Sequence, residues 1–158
     1  MKLIIAIVLM LFSTYTNAQN IDSKSIEPSL VKLIIDFGKS YEGIAYKYGS
    51  CSPKAGFDCS GFMYYIFKMG GITLPRSSNE LFNEGKKIKL KNVRIGDFLF
   101  FNTGSSKNVN HVGIVSEIVD NQVKMLHVST SQGVQEIDMI SSEYWNKKFV
   151  GSKRILLK

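Results

Sequence analysis

Cys59 stands in the run Gly56-Phe57-Asp58-Cys59-Ser60-Gly61, at the mouth of an apolar segment, Phe62-Met63-Tyr64-Tyr65-Ile66-Phe67. If that segment is a helix, the cysteine falls on its first turn. There the macrodipole favours negative charge, and with it the thiolate. A thiol activated in this way is a nucleophile near neutral pH. A hydrolase built on it needs a base beside the sulfur and a third group to hold that base. The chain has two histidines, His111 and His127, and both lie in stretches rich in β-branched residues. A lone strand histidine is commonly a satisfied structural residue. Two of them in company with a helix-opening cysteine leave the catalytic and structural readings both open. The three residues show no close ligand spacing such as C-x-x-C or H-E-x-x-H, so neither a metal site nor a cofactor is expected.

The spacing of the histidines makes a geometric demand. Side chains alternate across a strand, so His111, Gly113 and Val115 share a face. A two-residue turn at Asp120-Asn121 would pair His127 with Ile114, on the wrong face. A three-residue loop, Asp120 to Gln122, would pair it with Val115 and leave the histidines four residues apart, roughly 13 Å of rise. The catalytic reading therefore predicts an odd loop or a bulge. Gly113, on the face of His111, leaves room for another chain or ring to approach.

The elements that must position these residues can be read in order. Ser29 resembles an N-cap, and Leu30, Leu33, Ile34, Phe37 and Tyr41 follow at helical spacing, which predicts a helix over about 29–41. Residues 43–58 are rich in Gly, Ser, Pro and Tyr and read as a surface loop or short extended pieces. Residues 59–69 are apolar nearly all round and are stopped by Gly70-Gly71, which predicts a central buried helix. Ser77 or Ser78 caps a short helix that ends before Gly85. Strands are expected at 98–101, 111–119, 123–128, 133–139 and 149–157, with a short helix around Trp145. Helices first and an antiparallel meander after them make an α+β pattern.

The length of 158 residues suggests one domain. Lys2 followed by the unbroken apolar run Leu3 to Phe12 and by Thr16-Asn17-Ala18 reads as a secretory signal peptide, cut after Ala18. Ten apolar residues span about 15 Å as a helix, half of a hydrocarbon core, so no integral membrane segment is expected once the leader is removed. Residues 19–28 read as a flexible lead-in and 29–158 as a single domain, exported to the periplasm or beyond and acting as a monomer. The formal charge of +7 is spread out, densest at Lys86, Lys87, Lys89, Lys91 and Arg94. That cluster reads as a solvated face, since a nucleic-acid partner would need a basic stripe with interleaved aromatics. Export has a consequence for Cys51 and Cys59, because two cysteines in an oxidising compartment can bridge. A Cys51–Cys59 disulfide is the rival to a free nucleophile.

Several segments in sequence order carry a family resemblance: Asp58-Cys59-Ser60-Gly61-Phe62, Leu74-Pro75-Arg76-Ser77, Gly96-Asp97-Phe98-Leu99-Phe100-Phe101, His111-Val112-Gly113-Ile114 and His127-Val128-Ser129-Thr130-Ser131. Together they resemble the NlpC family of bacterial cell-wall cysteine peptidases, from about Lys32 to the C-terminus. Within that family the likeness is greatest to short single-domain murein DD-endopeptidases. The resemblance implies a papain-like α+β fold, with the nucleophile opening a helix packed on an antiparallel sheet. It implies Cys59 as nucleophile, His111 as base and His127 as the group that orients it. Tyr46-Lys47-Tyr48-Gly49 is similar to the family's Tyr-x-aromatic-Gly-Gly element, which implies Tyr46 at the oxyanion site, although Ser50 replaces the second glycine. Asp58 and Ser60 match positions that line the substrate cleft.

The function implied is hydrolysis of peptide bonds in peptidoglycan stem peptides or cross-links. An imidazolium–thiolate pair would attack, and the Cys59 N–H and the Tyr46 hydroxyl would receive the oxyanion. Arg76 is expected either to bind a carboxylate of the stem peptide or to pin its own loop. Trp145 is expected in the core rather than as a ligand platform. The alternatives are a non-catalytic wall-binding module, or an amidase or antibacterial toxin on the same fold.

Overall fold

The computed structural model describes residues 27–156. The expected leader and nearly all of the lead-in lie outside the described residues. Helix α1, Pro28–Lys39, begins one residue inside the expected lead-in, with Pro28 rather than Ser29 setting its start. Proline suits the first helical turn because its missing N–H would have no partner there. The buried face of α1 is Val31, Ile34, Ile35 and Gly38, while Leu33 is 65% exposed. The expected face is therefore turned by about one residue. Gly38 explains the turn: a Cβ there would lie 3.0 Å from Leu126 and 3.1 Å from Ile66, so the helix makes its closest approach along that line.

A two-stranded hairpin follows, β1 (Cys51–Ser52) and β2 (Gly56–Phe57), inside the stretch expected to be loop or short extended pieces. Helix α2, Cys59–Met69, has the expected bounds. Asp58 caps it by accepting from the Gly61 N–H at 2.5 Å, which satisfies one of the orphan donors of the first turn. Phe62, Met63, Ile66 and Phe67 are fully buried. Burial of each contributes about 1.5–3 kcal/mol. Helix α3, Ser78–Phe82, starts with a capping box between Ser77 and Glu80.

The remaining strands are β3 (Lys86–Ile88), β4 (Phe98–Phe101), β5 (His111–Val119), β6 (Gln122–Ser129), β7 (Gly133–Asp138) and β8 (Phe149–Arg154). Helix α4, Glu143–Lys148, lies between β7 and β8. The six strands form one antiparallel sheet in the order β3-β8-β4-β5-β6-β7. Its edge strand β3 falls in the basic stretch, where no strand was expected; lysines suit an edge because they discourage pairing with another chain.

Alternation along the strands builds two cores. Phe98, Phe100, Val112, Ile114, Leu126 and Val128 pack beneath α1 and α2. Leu99, Phe101, Val115 and Met125 point the other way, into a smaller cluster that includes Trp145 of α4. Asp97 is fully buried where β4 begins, held by the Arg154 guanidinium at 2.9 and 2.8 Å and by the Arg94 N–H at 2.8 Å. It therefore closes a turn and anchors β8 rather than serving chemistry. The class is α+β, with few helices on an antiparallel sheet and the cysteine at the opening of the central one.

Candidate active site

The β5–β6 hairpin resolves the spacing of the two histidines. Its turn has two residues, Asp120 and Asn121, both with positive φ (46° and 69°), as a tight hairpin turn requires. Near the turn Val119 pairs with Gln122 and Glu117 with Lys124. The register then shifts, because Ser116 is bulged, and Val115 pairs with Met125. As a result His127 stands opposite Gly113 rather than Ile114 and shares the face of His111. The offset falls to two residues, about 7 Å of rise. Ser116 donates to Glu136 Oε1 at 2.6 Å, and Lys39 of α1 pairs with the same oxygen at 2.7 Å, so the bulge is tied to β7 and to the first helix.

His111 Nε2 lies 3.1 Å from His127 Nδ1. This hydrogen bond leaves His111 Nδ1 as the ring atom available to a substrate or a thiol. Both histidines are buried. Cys59 opens α2 with its Sγ directed to the Asn110 carbonyl oxygen at 3.8 Å, one residue before His111. Cys59 and His111 line one chamber of about 680 Å³, together with Tyr46, Ser129, Tyr144 and Trp145. Tyr46 is placed by its backbone: it bridges to Phe57 beside the flanking bonds Lys47 N–H to Phe57 O and Phe57 N–H to Ala45 O.

A second concavity of about 520 Å³ meets the first at Tyr46, Tyr48, Cys59 and Asn110 and extends to Asp58, Ser60 and Arg76. Arg76 binds Asp58 with both arms of its fork, at 2.9 and 2.8 Å, and reaches the Ser60 hydroxyl at 3.1 Å. The three residues expected at the substrate cleft are thus joined to one another, and Asp58 is also the cap of α2. Cys59 lies where the two concavities meet.

The family model described as NlpC/P60 matches residues 43–154. The chain belongs to the NlpC/P60 family. It is similar to the gamma-DL-glutamyl hydrolase of Bacillus subtilis (strain 168), 37% identical over 78% of this chain and 30% of that protein. It is also similar to the Murein DD-endopeptidase MepS/Murein LD-carboxypeptidase of Escherichia coli (strain K12), 37% identical over 87% of this chain and 66% of that protein. Among solved structures, an NLP/P60 family protein from Staphylococcus aureus subsp. aureus Mu50 superposes with a TM-score of 0.70 at 28% identity, over 95% of this chain and 48% of that one. The chain spans less than two thirds of the length of each of these proteins.

Within this NlpC/P60 domain the electrostatics favour neutral groups at rest. Burial pushes the Cys59 thiol up, a backbone hydrogen bond with Val112 pulls it down, and the Asp58 carboxylate raises it again. The loss of water around the sulfur thus works against the helix dipole at Cys59. Burial, with the neighbouring His127 adding to it, lowers His111 to about 3, and burial lowers His127 to about 4. Tyr46 is raised, first by burial and then by the negative charges of Cys59 and Asp58, so its phenol keeps the proton it needs to act as a donor.

Cys51 and Cys59 are both free thiols, so the rival disulfide is absent from this structure. Cys51 pairs with Phe57 in the β1–β2 hairpin. Among the described residues no three metal-ligating side chains come together, and no helix is long and apolar enough to cross a membrane.

Trp145, expected in the core, packs against the smaller core and also borders the NlpC/P60 site, where it is half-buried. It stacks on His111 with ring centroids 4.7 Å apart and planes at 29°, and meets His127 edge to face at 4.7 Å and 81°. Its place beside Tyr144 near the C-terminus gave no clue to this contact, which depends on α4 folding back across the sheet.

Proposed function

We propose that the chain is an exported peptidoglycan hydrolase, a cysteine endopeptidase that cuts peptide bonds in stem peptides or their cross-links. The observation that carries this reading is the 3.1 Å bond between His111 Nε2 and His127 Nδ1, on a chamber shared with Cys59. That bond fixes the His111 ring and leaves Nδ1 to serve as base. The relatives named for murein and γ-glutamyl hydrolysis support the substrate class.

The chemistry follows from the geometry. Substrate entry turns Sγ from the Asn110 carbonyl towards His111. The S–H bond breaks as the S–C bond to the substrate carbonyl forms, and the proton passes to His111 Nδ1. His111 Nε2–H donates to His127 Nδ1, which fixes the tautomer of the base. The oxyanion is received by the Cys59 N–H, one of the orphan donors of α2, and by the Tyr46 hydroxyl. His111 then protonates the leaving amine and draws a proton from water as it hydrolyses the thioester. A groove open on both sides of Cys59 suits a cut inside a peptide. Asp58, Ser60 and Arg76 present one side to the polar groups of the substrate.

The test is digestion of purified sacculi in ¹⁸O-water, followed by mass spectrometry of the soluble fragments. New peptide carboxyl groups carrying one ¹⁸O, with glycan reducing ends unchanged, are expected. Labelled glycan ends, or intact sacculi, would contradict the reading. A non-catalytic wall-binding module would bind the sacculi and release nothing.

A further inference from the structure

We propose that Trp145 is a positioning residue for this reaction: its indole face covers His111 and stabilises the imidazolium that forms when the ring takes the thiol proton. The inference rests on the Cys59–His111–His127 reading and assigns to it a fourth participant.

The charge that appears on His111 has few places to be compensated. The ring is buried on the face of the sheet that carries the smaller core. The titratable groups that share its chamber are Cys59 from α2, Tyr46 and Tyr48 from the segment before β1, and Tyr144 from α4. His127 of β6 meets the ring through Nδ1, while Phe101 of β4 presents only an aromatic ring, 6.0 Å away. Among the described residues no carboxylate lines that chamber. Asp58 lies on the other side of Cys59, with both of its oxygens on Arg76. His127 accepts one proton of the imidazolium, but a neutral ring offers no net charge. What remains over the flat of His111 is the indole, nearly parallel at 4.7 Å. The face of an aromatic ring is electron-rich, and among the aromatic side chains tryptophan holds a cation best.

The indole is itself held. Trp145 packs edge to face against Phe101 at 5.1 Å and Tyr144 at 5.0 Å, and its backbone N–H donates to the Ser142 hydroxyl that caps α4. A ring fixed on several sides would add positional stability to His111 even without charge. The two contributions separate experimentally, because only the electrostatic one depends on the electron density of the indole.

The chain contains one tryptophan. Biosynthetic replacement by mono-, di- and trifluorotryptophan therefore alters position 145 alone and withdraws electrons with little change of shape. The quantity to measure is the rate of Cys59 alkylation by iodoacetamide against pH, in the wild-type chain and in the fluorinated series, with Cys51→Ser as background so that one thiol is read. Each step of fluorination should move the acid limb of the profile to higher pH. The rate at pH 7 should fall about tenfold across the series, within the range of a desolvated cation–π contact. Trp145→Phe should fall inside that range and Trp145→Leu at or beyond its end. A profile that does not move with fluorination would overturn the proposal, whatever the leucine variant does. The parent reading fails separately. In that case unlabelled Cys59 would titrate as an ordinary thiol, and His111→Ala would leave its profile unchanged.

Discussion

His127 stands directly opposite Gly113, and a Cβ on residue 113 would lie 2.5 Å from the Met125 side chain and 3.1 Å from His127 Cβ. The glycine is thus the space that lets His127 lean towards His111. Glycine-to-alanine changes in an extended strand ordinarily stabilise, through the unfolded chain, by a few tenths of a kcal/mol to about 1 kcal/mol. Here overpacking reverses the sign. Gly113→Ala should lose about 1–3 kcal/mol in urea unfolding, with kcat falling more than KM rises. An alanine variant as stable and as active as the wild type would show that the close approach is unimportant.

The role of His127 can be separated into its parts. Asparagine carries its Oδ1 on the same carbon as the Nδ1 of histidine, so His127→Asn keeps an acceptor near the place that His111 Nε2 needs. His127 Nε2 is buried without a hydrogen-bond partner among the described residues, so asparagine gives up no hydrogen bond of that nitrogen. His127→Asn should hold kcat within about tenfold of wild type, and His127→Leu should lower it by about 10²-fold or more. Equal losses in steady-state assays would mean that the second histidine does more than orient the first.

Acid should destabilise the fold before its carboxylates titrate. His111 and His127 have folded values of about 3 and about 4, whereas an unfolded histidine titrates near 6.5. Between these values the unfolded chain binds the protons and the folded chain does not. The stability from neutral burial is therefore complete above about pH 6.5 and is lost as pH falls, down to about 4 for His127 and about 3 for His111. Tm should drop steadily between pH 7 and 4.5, and the drop should be shallower in His127→Asn. A flat Tm across that window would contradict the burial of neutral rings.

Asp58 has two structural duties, and substitutions divide them. It accepts from the Gly61 N–H as the cap of α2 and pairs with Arg76. The Arg76 side chain is 38% exposed, so solvent screens the pair. Asp58→Ala should cost about 2 kcal/mol, and Asp58→Asn, which keeps a capping oxygen, about half of that. Chemical denaturation measures both; identical losses would place all of the effect in the ion pair.

Much of this arrangement was legible in the sequence, and the residues show why. The bounds of α2 followed from the length of the apolar run and the two glycines that stop it, all local signals. The demand for a bulge or an odd loop followed from the parity of strands, but not which of the two. Ser116 carries no mark of a bulge in its own type; its anchor, Glu136, is twenty residues away in sequence. The buried face of α1 was misjudged by one residue because Gly38, where the sheet and α2 come closest, lacks a hydrophobic side chain. The helix dipole at Cys59 can be inferred from the chain, whereas the desolvation that opposes it requires the packed surroundings. Trp145 packs against the smaller core as expected, but no local sign in the sequence shows that α4 also folds over the histidines.

The central claim is that Cys59 does the chemistry with His111 on a peptide bond of the cell wall. Release of soluble peptide from purified sacculi, timed for the wild-type chain and for Cys59→Ala with folding checked by circular dichroism, tests it most directly. Steady release by the wild type and none by the folded alanine variant is the predicted result. Release at comparable rates by both proteins would contradict it.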